Sequence, residues 1–157
     1  MMRPYEKLKF YQDICKIRRL IYMITERFRK THVRLVSQMR DSARSAKQNI
    51  REGYAKGSAK QFMQFIRISL GSLDELKGDI DDCLEDGLIS PQEYEILEGL
   101  YKSACCLAIR YIDSIRLLDA QGKWHIPGKN FNKATLATLA TSETLATSNC
   151  REHAKEL

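Results

Sequence analysis

The chain has 157 residues, 43% of them apolar and 29% charged, with a formal net charge of +6, enough for one domain with a real core and a short appendage. Its apolar runs fall well short of the ~18 residues a membrane span needs, and its basic N-terminus lacks an apolar signal core, so a cytoplasmic protein is expected. Three prolines and the absence of strand-like alternation leave an all-α reading.

The first predicted helix covers 5–28, with Ile14, Ile17, Ile21, Ile24 and Phe28 facing inward and Lys9, Lys16, Arg19 and Arg27 mostly outward. Thr31 is the expected cap of the next one. In the second, Val36, Met39, Ala43, Ala46, Ile50 and Tyr54 recur at steps of three and four, a narrow face of mostly small residues. Gly53 and Gly57 bracket Lys56, so this helix should fray or stop there. Ser58 followed by Gln61 then reads as a capping-box start.

The third helix carries an unbroken stripe: Phe62, Ile66, Ser69, Leu73, Leu76, Ile80 and Cys83. It ends in Asp81, Asp82, Glu85 and Asp86 before Gly87, a poor match to the negative end of a helix dipole. A solvated acidic turn is the plain reading; a partner-facing patch is the sharper one. Ser90, Pro91 and Glu93 supply an N-cap, a first-turn proline and a capping-box carboxylate. Leu97, Tyr101, Ala104, Ala108, Tyr111, Ile115 and Leu118 then mark a bundle seam continuing to about Gly122. Four long helices joined by short links predict an up-down-up-down four-helix bundle over 1–122. A loop over 123–133 follows, whose Trp124 should tuck against the bundle end. Residues 134–157 form an Ala/Thr/Leu-rich, low-complexity C-terminal tail, disordered or weakly helical by its period of three.

Certain segments are familiar. SAKQNIREG over 45–53, then Gly57, Ser58, Lys60 and Phe62, and IRISLGSLDEL over 66–76 resemble the bacterial four-helix-bundle family of the 23S rRNA intervening-sequence proteins. The accessory variability determinant of diversity-generating retroelements is a more distant branch. The likeness spans 5–118. The family pattern at the centre of the second helix reads S-I-P-A-N-I-A-E-G; departures here include Ala46, Lys47 and Arg51, and the last two add positive charge. The retroelement branch implies a homopentamer whose basic surface engages RNA, DNA and a reverse transcriptase. The ribosomal branch implies only that the gene can lie within ribosomal RNA genes.

Charge is distributed unevenly. Residues 3–67 hold 17 Lys and Arg against 5 Asp and Glu, 74–98 hold 1 against 10, and 102–157 hold 8 against 5. A basic half of this kind offers a field to polyanions, and an acidic patch can meet a basic patch on a neighbouring subunit. The sharpest feature is on the second helix: Arg40, Arg44, Lys47 and Arg51 fall within a sector of about 60° over ~16 Å. Four cations in one strip repel, and an RNA or DNA backbone would offset them with little sequence preference. Lys56 and Lys60 belong to the candidate site, and Arg34 and Arg67 could extend it. The plain alternative is a solvated face with local pairs such as Arg44 with Asp41 and Arg51 with Glu52.

Catalytic chemistry finds little footing. Five cysteines form no C-x-x-C pair, and three of them fall in apolar helix stretches, as buried thiols of a reducing compartment do. His32, His125 and His153 lie at no ligand spacing, so no metal or other cofactor is expected. No Glu-x-x-His pair or phosphate-binding glycine loop occurs. Arg27 and His32 fit a HEPN-like ribonuclease pair loosely, on the wrong part of the fold. Asn49 and Glu52 are expected to anchor the end of the second helix by hydrogen bonds. The combined expectation is a non-enzymatic RNA-binding accessory protein, the oligomeric partner of a reverse transcriptase if the retroelement branch applies. A protein-interaction scaffold is the main alternative.

Overall fold

The computed structural model describes residues 2–125; the expectations for the rest of the 123–133 loop and for the 134–157 tail lie outside the described residues. The described residues form four α-helices: α1 (Lys9–Thr25), α2 (Val33–Lys56), α3 (Ala59–Glu85) and α4 (Pro91–Ala120). Each packs on the next, and α4 closes back on α1. Cross-helix contacts give the directions. Phe10 meets Tyr111 near the start of α1, whereas Arg27, just past its end, meets Glu93 at the start of α4. Gln38 meets Asp79 and Ala46 meets Ser69, so α2 and α3 are antiparallel as well. This is the expected up-down-up-down bundle.

The core follows the sequence pattern most closely on α3, where all seven residues of the stripe are buried. Met39, Ala43, Ala46 and Ile50 are buried on α2, while Val36 and Tyr54 sit half-buried at its edges. On α4, Leu97, Ala104, Ala108, Tyr111 and Ile115 are buried as expected, with Leu107 and Ile112 in addition. Trp124 packs with its ring centroid 6.3 Å from that of Phe62, so this side chain does tuck against the bundle end.

The helix ends show which local signals act. Ser90 Oγ accepts from the Glu93 backbone N–H and the Glu93 carboxylate accepts from the Ser90 N–H, a complete capping box. Ser58 Oγ accepts from the Gln61 N–H at 3.2 Å. Gly57, with φ +83°, ends α2 in the left-handed region that glycine enters without strain. Gly87 closes α3 in the same way, its N–H donating to Leu84 O and the Leu88 N–H to Cys83 O.

Three expectations need correction. The first helix does not run over 5–28: Pro4–Lys7 forms a separate 3-10 turn and Leu8 is extended. That break lets Tyr5 fold into the core against Tyr11 and Tyr54, at centroid distances of 5.1 and 4.9 Å. Thr31 is no cap; it lies in a second 3-10 turn, Lys30–His32, and His32 occupies the N-cap position without a side-chain hydrogen bond. The second helix does stop at Lys56 as expected, but Gly57 alone makes the stop; Gly53 lies within α2 and serves packing, since a Cβ there would meet Phe65 Cβ at 2.4 Å. Cys15, Cys83 and Cys105 are free thiols. Burial pushes Cys83 and Cys105 up to about 11, which leaves both as unreactive thiols at neutral pH.

The packing role of Gly53 has a measurable consequence. Gly53→Ala gains up to ~1 kcal/mol of helix propensity but must push α2 and α3 apart, so a net loss of about 2 kcal/mol is expected in urea unfolding. Gly71→Ala is expected to have the opposite sign, a gain of about 0.5–1 kcal/mol, since nothing lies within 4 Å of its added Cβ.

One ion pair fastens α1 to α4. Arg27 donates to both Glu93 oxygens, at 2.6 Å each. Those hydrogen bonds, opposed by partial burial and assisted by Ser90, hold Glu93 down at about 2. Because the folded value lies below the ordinary 4.5, the stabilisation is complete above about 4.5 and is lost as pH falls through about 2. Glu93→Gln is therefore expected to lower stability by about 1 kcal/mol at pH 7, after allowance for solvent screening. The deficit should shrink steadily as both proteins are taken to acid.

Candidate nucleic-acid interface

The buried face of α2 is set by Met39, Ala43, Ala46, Ile50 and Gly53. At 100° per residue, Arg40, Arg44, Lys47 and Arg51 then share the flank that turns toward α1, and Ser45 and Asn49 the flank toward α3. Contacts confirm both sides: Arg40 reaches Tyr22 and Thr25 of α1, and Ser45 Oγ lies 3.0 Å from Ser72 Oγ of α3.

Not all the predicted cations are equivalent. Arg40 is half-buried and bound within its own protomer: Nε donates to Thr25 Oγ1 at 2.8 Å, one Nη to Tyr22 O at 3.4 Å, and the guanidinium carbon lies 4.7 Å from the Tyr22 ring centroid. None of these partners is a carboxylate, so its charge is not matched by an anion there, but it is no free side chain. Arg44 pairs with Asp41 as expected, at 3.5 Å, both about two-thirds exposed, an arrangement worth little in water. Lys47 and Arg51 have no carboxylate within ion-pair distance among the described residues. The expected Arg51–Glu52 pair does not form; Glu52 instead faces Lys56 at 3.7 Å.

Lys56 does not join the row. Nine residues beyond Lys47, it points half a turn away around α2, and it pairs with Glu52 near the Phe65 ring. Lys60 is exposed on the first turn of α3, and Arg34 and Arg67 are exposed as well, with Arg34 on the flank of Lys56. The fold thus brings together Arg40, Arg44, Lys47 and Arg51 and leaves Lys56 and Arg34 on another side.

The α1 side supplies what the sequence reading missed. Arg18, half-buried, lays its guanidinium carbon 4.6 Å from the Tyr22 centroid, so two arginines from different helices share one ring. Arg18 and Tyr22 stand at i and i+4, a visible pairing; that Arg40 would join them depends on which flank of α1 faces α2. Arg51 is also near enough to the Tyr11 phenol to oppose the rise that burial imposes on it.

Other polar residues have structural partners. Asn49 Nδ2 donates to Ser45 O and Oγ, at 2.9 and 3.2 Å, and Ser69 Oγ donates to Ala46 O at 2.7 Å. Both Asn49 bonds thus stay within α2, to Ser45, which in turn meets Ser72 of α3. Arg27 is occupied by Glu93 and Leu88 O, while His32 packs edge-on to Phe28. Among the described residues no cluster of three His, Cys, Asp or Glu could hold a metal ion, and no helix is long and apolar enough to cross a membrane.

None of the curated proteins compared with the chain matches it. Residues 6–108, which take in α1, α2, α3 and more than half of α4, match the family described as 23S rRNA-intervening sequence protein, and the chain belongs to that family.

Proposed function

We propose that this is a non-enzymatic accessory protein that binds RNA by its phosphates through the α1/α2 flank. The observation that carries the reading is the pair Lys47 and Arg51, left without a carboxylate among the described residues beside Arg44, which pairs with the exposed Asp41. Like charges held in line on a helix lower their energy by taking up an external polyanion and releasing its counterions. Membership in a family named for intervening sequences of 23S rRNA supports an RNA-associated role. The finer part of the proposal is a cytoplasmic homo-oligomer, a pentamer by resemblance, that partners a reverse transcriptase in a diversity-generating retroelement. Its support is indirect: 45–53 and 66–76 resemble the intervening-sequence family, of which the retroelement protein is a more distant branch.

A second reading, a protein-interaction scaffold, draws on the end of α3. Asp82, Glu85 and Asp86 are exposed there, and Asp79 is buried with Oδ2 lacking a hydrogen-bond partner. The two readings separate in a filter assay with structured RNA. Retention at low salt is expected, with a log–log salt slope of roughly −3 from about four phosphate contacts. A slope near zero, or no retention, favours the scaffold. RNA cleavage that disappears with His32→Ala would instead restore the ribonuclease.

A further inference from the structure

We propose that the α1/α2 flank takes double-helical RNA by its phosphate backbone alone, with Arg18 and Arg40, both seated over the Tyr22 ring, as its fixed anchor. This rests on the RNA-binding reading and adds to it the form of the RNA and a residue on α1.

The first argument concerns what the flank lacks. Proteins that hold single strands combine a basic groove with aromatic rings on which unpaired bases stack, at about 1–3 kcal/mol per base. Among the described residues no Phe, Tyr or Trp is classed as exposed; every one is buried or half-buried. Tyr22, the ring beside the cation row, already has guanidiniums 4.6 and 4.7 Å from its centroid. A splayed base finds no free ring on this flank.

The second argument concerns what the flank has. A guanidinium lying over an aromatic ring is oriented by it, so its planar fork loses less freedom when it meets a phosphate. Arg40 is fixed further by Thr25 Oγ1, which itself donates to Ile21 O at 2.6 Å. Its Nη1 has no hydrogen-bond partner among the described residues. From Arg40 the row continues through Lys47 to Arg51, ~16 Å along a rigid helix. A duplex carries one charge per ~1.7 Å of axis against ~3.4 Å for one strand. A straight, stiff row therefore meets about twice the charge on a duplex, and a flexible strand gains nothing here by unstacking.

The test uses the full chain at low salt, with a blunt RNA duplex of about 20 base pairs and an oligouridine of equal length, read by fluorescence anisotropy. The duplex is expected to bind at least about tenfold more tightly. Tyr22→Leu keeps every cation but removes the ring, and should weaken duplex binding about fivefold; Tyr22→Phe keeps the ring and should stay within about twofold. Arg18→Gln, a substitution that threatens folding less, should also weaken duplex binding about fivefold, and it decides the matter if Tyr22→Leu does not fold. Oligouridine bound as tightly as the duplex overturns the proposal, as does wild-type duplex affinity in Arg18→Gln. Failure to bind either RNA overturns the RNA-binding reading itself.

Discussion

Reversing both charges in Lys47→Glu/Arg51→Glu is expected to weaken RNA binding by about 100-fold at low salt, with the helical fold intact. An upper bound follows from Coulomb energies of about 1 kcal/mol per contact in water, lost and replaced by repulsion at two positions, ~4 kcal/mol or roughly 700-fold at ~1.4 kcal/mol per tenfold. Salt screening and side chains that swing away from the phosphates reduce it to about 100-fold. The fold should survive because neither side chain is buried and neither is paired with a carboxylate among the described residues, and surface changes of this kind usually stay within ~0.5 kcal/mol. A matched control is Lys56→Glu, on the far side of α2, for which a several-fold smaller loss of affinity is expected. Filter retention of one structured RNA across the three proteins measures both, and circular dichroism checks the fold.

Phe62→Ala should be the most damaging single change to stability. Phe62 is 2% exposed and joins three elements: its ring meets Tyr54 of α2 at 6.0 Å, Tyr111 of α4 at 6.1 Å and Trp124 at 6.3 Å. Truncation leaves a cavity bounded by aromatic groups that cannot all collapse into it, at a cost of about 3–5 kcal/mol. Set against a typical total of 5–15 kcal/mol, that should lower Tm by roughly 10–20 °C. Thermal unfolding followed at 222 nm reads it directly. A shift under about 5 °C would mean that the aromatic cluster at this end of the bundle is not a stabilising centre.

How much of this could be read from the residues alone depends on how local the cause is. The α3 stripe was fully legible, because Phe62 to Cys83 repeats without interruption and all seven positions are buried. The caps at Ser58 and Ser90 were legible for the same reason, each involving residues only three apart. The misplaced start of α1 and the role of Gly53 were not, since both depend on distant partners: Tyr54 draws Tyr5 inward, and Phe65 of α3 needs the space beside Gly53. A glycine near the end of a helix reads as a stop until the crossing helix is known.

The candidate site divides along the same line. Spacing on α2 correctly placed Arg40, Arg44, Lys47 and Arg51 on one flank, because helical geometry alone fixes that. It could not show that the flank abuts α1, where Tyr22 and Thr25 occupy Arg40, or that Arg18 belongs beside it. Nearness in sequence groups Lys56 and Lys60 with the row, yet Lys56 turns away from it and is matched by Glu52.

Binding of RNA phosphates by this flank is tested most directly by the salt dependence of affinity in the wild type and in Lys47→Gln/Arg51→Gln. Removing two phosphate contacts should move the log–log slope from about −3 to about −1.5, with the helical spectrum unchanged. An unchanged slope would show that these two cations touch no phosphate, and would contradict RNA binding through the α1/α2 flank.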